Sequence, residues 1–174
     1  MIVIPATLPT VLEALALHWQ AQPAYERAPP AAVLAPGDSL QVRLQALALP
    51  TDFGSFYRGP AGEAWALPLY AIEEDFHFFT VAELRPCEEE LLVISTTGAA
   101  RERVRVTVFV DYRETSWEYR VIADPMGEGY RIGILAWPGE FKVITHSLAT
   151  FLCLYMEDAL VLYDHRNLYA DSTR

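Results

Sequence analysis

Four histidines are the first residues to weigh for chemistry: His18, His77, His146 and His165. None pairs with another at the i,i+4 spacing of a helix-borne metal site, and no His-Glu-x-x-His occurs, so no metal site is expected. His77 is flanked by Phe76 and Phe78 and reads as a hydrogen-bonded strand histidine in preference to a ligand. His146 beside Ser147 suggests a nucleophile pair on paper. Adjacent residues diverge, however, and Ser147 is better placed to cap a following helix. Asp111 and Glu118 are possible paired carboxylates, with Asp111 read first as a structural residue at a strand end. Gly127, Gly129 and Gly133 resemble a phosphate loop only superficially. They fall between two expected strands, whereas a dinucleotide fingerprint needs a strand before and a helix after. The two cysteines, Cys87 and Cys153, make neither a disulfide framework nor a zinc pattern, and Cys87 follows Pro86 in an expected loop. No catalytic residue and no cofactor is assigned.

Two acidic runs remain, Glu73-Glu74-Asp75 and Glu88-Glu89-Glu90. They are either solvated loops or a negative patch that meets a basic partner, and both readings place them at the surface, because buried unpaired charge is costly. Trp65, Tyr70 and Phe76 lie near the first run and either anchor an interface or belong to the core. Arg101, Arg103 and Arg105 read as solvated edge charges. The chain carries 13 basic and 23 acidic residues, a formal net charge of −10. That balance disfavours nucleic acid, whose binding depends on Lys and Arg contacts with phosphate. It either serves solubility alone or steers a basic partner.

The elements that position these residues follow from periodicity. Leu8, Val11, Leu12, Leu15 and Trp19 recur at helical spacing over residues 8–20. Pro23, Pro29, Pro30 and Pro36 then mark an extended connector. Gly37-Asp38-Ser39 precedes a second helix at 39–48, and Thr51-Asp52 is expected to cap a short third helix through Tyr57. Strands are expected at 66–72, 77–79, 91–95, 104–112, 117–122, 130–137 and 141–144. Val104, Val106, Val108, Val110 and Tyr112 would share one face. A final helix at 147–158 carries Leu148, Phe151, Leu152 and Tyr155 as its core stripe, and the tail after Tyr163 is expected to fray.

Close strand spacing favours antiparallel pairing. The expected class is α+β, one domain over 1–174, with a mixed, mostly antiparallel central sheet and helices packed around it. With 174 residues, of which 52% are hydrophobic and 21% charged, one folded core is within reach. Met1 to Pro9 lacks Lys and Arg and does not resemble a signal peptide, and no apolar run approaches the ~18 residues of a membrane span. A reducing cytoplasm is the expected compartment.

Four stretches, read in order, carry a resemblance. They are Leu49-Pro50-Thr51-Asp52-Phe53-Gly54-Ser55-Phe56-Tyr57 after a helix, and Asp75-Phe76-His77-Phe78-Phe79 with Val81-Ala82-Glu83-Leu84. Then come Val108-Phe109-Val110-Asp111-Tyr112 with Ser116-Trp117-Glu118-Tyr119-Arg120-Val121, and Ser147-Leu148-Ala149-Thr150-Phe151-Leu152 with Tyr155. This order resembles the SUKH superfamily over residues 35–163. Leu148 stands where an aromatic is commoner, and Gly59–Gly62 lacks the commoner asparagine-glycine. Residues 1–34, a helix and its connector, and the tail 164–174 lie outside the match. The resemblance implies protein recognition without catalysis. Bacterial members look like cytoplasmic immunity proteins that neutralise polymorphic or contact-dependent toxins, often nucleases, by occlusion. Fungal relatives look like scaffolds. An immunity protein for a basic, nuclease-like toxin is the first expectation. A regulatory or scaffolding module of the same fold is the second, and a small enzyme with an unrecognised site the third. The acidic residues Glu73, Glu74, Asp75, Glu88, Glu89 and Glu90, with Trp65 and Tyr70, are the candidate partner contacts.

Overall fold

The computed structural model describes residues 7–21, 26–27, 40–60, 68–70, 76–112, 117–124 and 129–163. The proline-rich connector, Gly37-Asp38-Ser39, Trp65, Glu73-Glu74-Asp75, residues 113–116 and the tail beyond Tyr163 lie outside them. Helix α1 spans Leu8–Ala21, α2 Leu40–Leu47, α3 Thr51–Arg58 and α4 Leu148–Met156, with a 3-10 turn at Leu160–Leu162. Strands β1 (Glu26–Arg27) and β2 (Pro68–Tyr70) form a small antiparallel pair. The main sheet contains β3 (Phe76–Phe78), β4 (Pro86–Ser95), β5 (Gly98–Tyr112), β6 (Trp117–Ala123), β7 (Tyr130–Trp137) and β8 (Glu140–Thr145). The class is therefore α+β with a mixed, mostly antiparallel sheet; β4 and β8 make the parallel pair among antiparallel neighbours.

That sheet curls on itself. Strand β5 pairs with β4 along Gly98–Thr107 and with β6 along Val106–Tyr112. Strand β6 pairs with β7, β7 with β8, and β8 with β4, so five strands close a ring. Val106 faces Cys87 of β4 on one edge and Ile122 of β6 on the other, while Val110 faces Phe78 of β3 and Tyr119 of β6. Strands β3 and β4 therefore share one edge of β5 in succession. Where the ring closes, paired backbone replaces exposed strand edge.

Alternation along the strands divides the apolar residues between two cores. Leu91, Val93, Val106, Ile122, Phe141 and Val143 fill the ring. Phe53, Phe56, Phe76, Phe78, Phe109, Tyr119 and Phe151 join the helices on the other face. A register shift between Val108 and Val110 makes the transition on β5. The even-numbered alternation expected from Val104 to Tyr112 therefore breaks: Phe109 and Val110 are both buried in the helix-side core. A bulge lets one long strand serve two cores.

Helix α1 belongs to the main core. Val11, Leu12, Leu15 and Trp19 are buried in it, and the Trp19 indole N–H donates to the Tyr155 hydroxyl of α4 at 3.1 Å. Ser147 caps α4 as expected, its hydroxyl accepting from the Thr150 amide. The cap expected for α3 is corrected. Pro50 occupies the N-cap position with no side-chain bond, and the Asp52 carboxylate instead accepts from the Tyr130 hydroxyl. That hydroxyl also accepts the Leu148 amide at 2.8 Å. Tyr130 thus ties the starts of α3 and α4 to β7, and burial followed by the Asp52 hydrogen bond pushes its phenol pKa up.

Candidate partner-binding face

Strands β4 and β5 form one continuous hairpin, with residues from Pro86 through Ser95 paired to Thr107 through Gly98. The run Glu88-Glu89-Glu90 lies on this hairpin, as does Cys87, which corrects the expectation of loops there. A strand alternates its side chains between two faces, so the three glutamates separate. Glu88 and Glu90 are exposed on the outer face, across from Arg105 and Arg103 respectively. Leu92 stands across from Arg101. Glu88 pairs with Arg103 at 2.9 Å while the two side chains keep 63% and 79% of their exposure. A pair so open contributes little to stability. The outer face therefore interleaves both signs in place of a purely negative patch.

Glu89 points the other way, into a partly buried charged layer at one end of the ring. Arg120 of β6 donates through Nη1 to both Glu89 oxygens at 2.8 Å. It also donates through Nε and Nη2 to Glu118 at 3.0 and 2.7 Å. Its side chain is 10% exposed. Burial alone would lower the guanidinium pKa, but the hydrogen bonds and charges of Glu118 and Glu89 hold it above the ordinary arginine value. The Cys87 thiol lies 3.1 Å from Glu89, and burial together with that carboxylate pushes its pKa up. A thiol so placed is held away from the reactive thiolate form.

The charged layer continues across the sheet. Asp111 is buried opposite His77 on β3 and opposite Glu118 on β6. His77 Nε2 lies 3.3 Å from Glu83, which also takes the amide and hydroxyl of Thr80 at 2.7 Å each. The nearby hydroxyl thus donates to the carboxylate and is not presented to the imidazole as a nucleophile. His77 is a buried strand residue with a carboxylate beside its ring. His146 and Ser147 also part: Ser147 caps α4, while His146 is exposed at a cleft of about 460 Å³ at the hairpin end of the ring.

The remaining contacts divide. Tyr70 stands on β2 opposite Glu26. Phe76 is 1% exposed and belongs to the core, packing on Tyr155 at 5.1 Å, so it is no surface anchor. Trp65, Glu73, Glu74 and Asp75 lie outside the described residues. Sequence reasoning missed Arg120. The signal was present in part: Glu118 and Arg120 are two apart and share a strand face, but Glu89 reaches them across β5 from a distant stretch of chain.

Among the described residues no cluster of His, Cys, Asp and Glu could hold a metal ion, and no helix is long and apolar enough to cross a membrane. Compared with family models, curated proteins and solved structures, the chain matches none of them.

Proposed function

We propose that this chain is a SUKH-type immunity protein: it binds a partner toxin domain and neutralises it by occlusion, with no chemistry of its own. The observation that carries the reading is the β4–β5 hairpin. Its paired backbone holds Glu88, Glu90, Arg101, Arg103 and Arg105 exposed at fixed spacings. A rigid array of alternating charge suits recognition of one complementary protein surface, because like charges brought together by a wrong partner cost binding energy. The net charge of −10 supplies long-range attraction to a basic toxin domain, while the hairpin sets local fit.

Capture tests the proposal. The protein, immobilised, is exposed to lysate and secreted fractions of its source organism at moderate salt. One toxin-like domain is expected, eluted by high salt and inhibited when the purified protein is added back. The double change Glu88→Lys with Glu90→Lys is expected to weaken that complex at least about tenfold, or about 1.4 kcal/mol. Recovery of a housekeeping assembly, with no inhibition of any toxin, replaces immunity with scaffolding.

A further inference from the structure

Among the described residues the ring leaves part of β5 paired on one edge alone. Strand β6 pairs with β5 from Tyr112 down to Val106, opposite Ile122. Strand β5 continues beyond that point to Gly98, paired there with β4 on one edge. Among the described residues nothing pairs with the other edge of residues 98–105. Gly98, Ala99, Ala100, Arg101, Arg103 and Arg105 are all exposed. The cleft of about 460 Å³ adjoins this stretch, with Gly98, Ala100 and Glu102 on one wall and Arg131 and His146 on another. An unpaired strand edge beside a cleft presents backbone donors and acceptors in a row, which is the template used when an extended peptide adds to a sheet.

Charge selects the occupant. Arg101, Arg103 and Arg105 share one face of the strand, while Glu102 on the other face is held by Arg131 at 2.8 and 3.0 Å. In antiparallel pairing, directly opposed residues lie on the same face of the sheet. A second copy of this chain added edge to edge would therefore set arginine against arginine: a two-fold axis at Arg103 opposes Arg101 to Arg105, and one at Glu102 opposes Arg101 to Arg103. Its own copy is disfavoured. Glu88 and Glu90 lie on the same face one strand further away, and Arg103 already pairs with Glu88, but the arginines are the residues directly beside the open edge. A strand with a carboxylate at every second position meets Arg101 and Arg105 with opposite sign.

We propose that the open edge of β5 between Gly98 and Arg105 binds an extended acidic segment of a partner protein as an added strand. The inference goes beyond the immunity reading, since it concerns a local acidic stretch whatever the whole partner does, and a defined peptide tests it without any toxin.

The probe is a capped heptapeptide alternating glutamate with threonine, compared with its lysine counterpart, added to the isotope-labelled full chain at low salt. The glutamate peptide is expected to shift and protect every second amide between 98 and 105, slowing their hydrogen exchange about tenfold or more, while the lysine peptide does not. Arg101→Glu with Arg105→Glu, two exposed changes checked by an unaltered melting profile, is expected to reverse the preference. Protection by neither peptide overturns the proposal, as does an unchanged preference in the double variant. A single-stranded oligonucleotide that binds the arginines more tightly than the glutamate peptide, without protecting edge amides, overturns it in favour of nucleic acid.

Discussion

The two cores on opposite faces of the curled sheet are built on different principles. The helix-side core is aromatic. Phe53 meets Phe109 at 5.1 Å, Phe109 meets Phe151 at 5.1 Å, and Trp19 meets Phe78 at 5.4 Å, all in tilted, edge-on contacts. Helices α1, α3 and α4 cover it, and helices can shift slightly to repack around a changed side chain. The core inside the ring is small and mainly aliphatic, and among the described residues buried there Phe141 is the one aromatic ring. Its walls are strands joined by backbone hydrogen bonds, so they move only at the expense of the ladder. The first core is adjustable cladding and the second a fixed girder, and mutations should distinguish them.

Gly133 is where that distinction is sharpest. A Cβ there would sit 2.2 Å from the Lys142 carbonyl oxygen and 2.7 Å from the Phe141 ring. The nearer obstacle is backbone of the adjoining strand, which no side-chain rearrangement relieves. Gly133→Ala is expected to cost about 3 kcal/mol or more, at or above the upper end of overpacking, and truncating Phe141 should not rescue it. In the helix-side core, Phe151→Leu is expected to cost clearly less, about 1–2 kcal/mol, because the surrounding rings and α4 can close on the smaller side chain. Urea melts of the two variants make the comparison. Equal losses would show that the ring yields as readily as the helices.

The ring ends in a charged layer, and Arg120 governs it. Arg120→Met leaves Glu89 and Glu118 facing each other across the space the guanidinium filled, with 33% and 28% of their side chains exposed. Removing one member of a largely buried ion network costs about 3–5 kcal/mol in closed sites, and partial exposure here places the expected loss near the lower figure, about 3 kcal/mol. The sharper measurement is the triple change Glu89→Gln, Arg120→Met and Glu118→Gln. It should be less destabilising than Arg120→Met alone, since no charge is then left unpaired. A triple variant no better than the single one would mean that packing of the arginine stem, and not its charge, secures this end.

The same contrast explains how much of the molecule was legible in the sequence. Helices α1 and α4 announced themselves through apolar stripes, because a helix buries one face and its period of about 3.6 residues is local information. The hairpin β4–β5 was read short, because Glu88, Glu89 and Glu90 look like a loop when weighed by polarity alone. They can lie on a strand because Glu88 and Glu90 face water and Glu89 has an arginine partner from β6. The bulge at Val108–Val110 was hidden by a run of valines whose alternation looked regular. Ring closure was invisible for a deeper reason: it depends on β8 lying parallel to β4, a pairing between stretches some fifty residues apart. For the candidate site, sequence found the outer glutamates and the arginines but not their mutual arrangement, which is a property of register.

The smallest expected effect lies at the seam where Glu102 of β5 meets Arg131 of β7. The Arg131 hydrogen bonds, ahead of the opposing effect of burial and with added support from its charge, hold the Glu102 carboxyl below the ordinary glutamate value of 4.5. A carboxylate whose pKa is lower in the folded state stabilises the fold above its unfolded pKa. That contribution drains away as pH falls from 4.5 through the lowered value. Side-chain exposures of 34% and 22% let water and salt screen the pair, so its share is below about 1 kcal/mol. Glu102→Gln should therefore melt slightly earlier than the parent in urea at neutral pH, and its loss of stability on acidification below 4.5 should be shallower. The difference should shrink in high salt, because solvent ions reach this seam. Parallel acid profiles for parent and variant would show that the pair carries no strain of closure, and that the ring is held here by the β4–β5 and β7–β8 ladders alone.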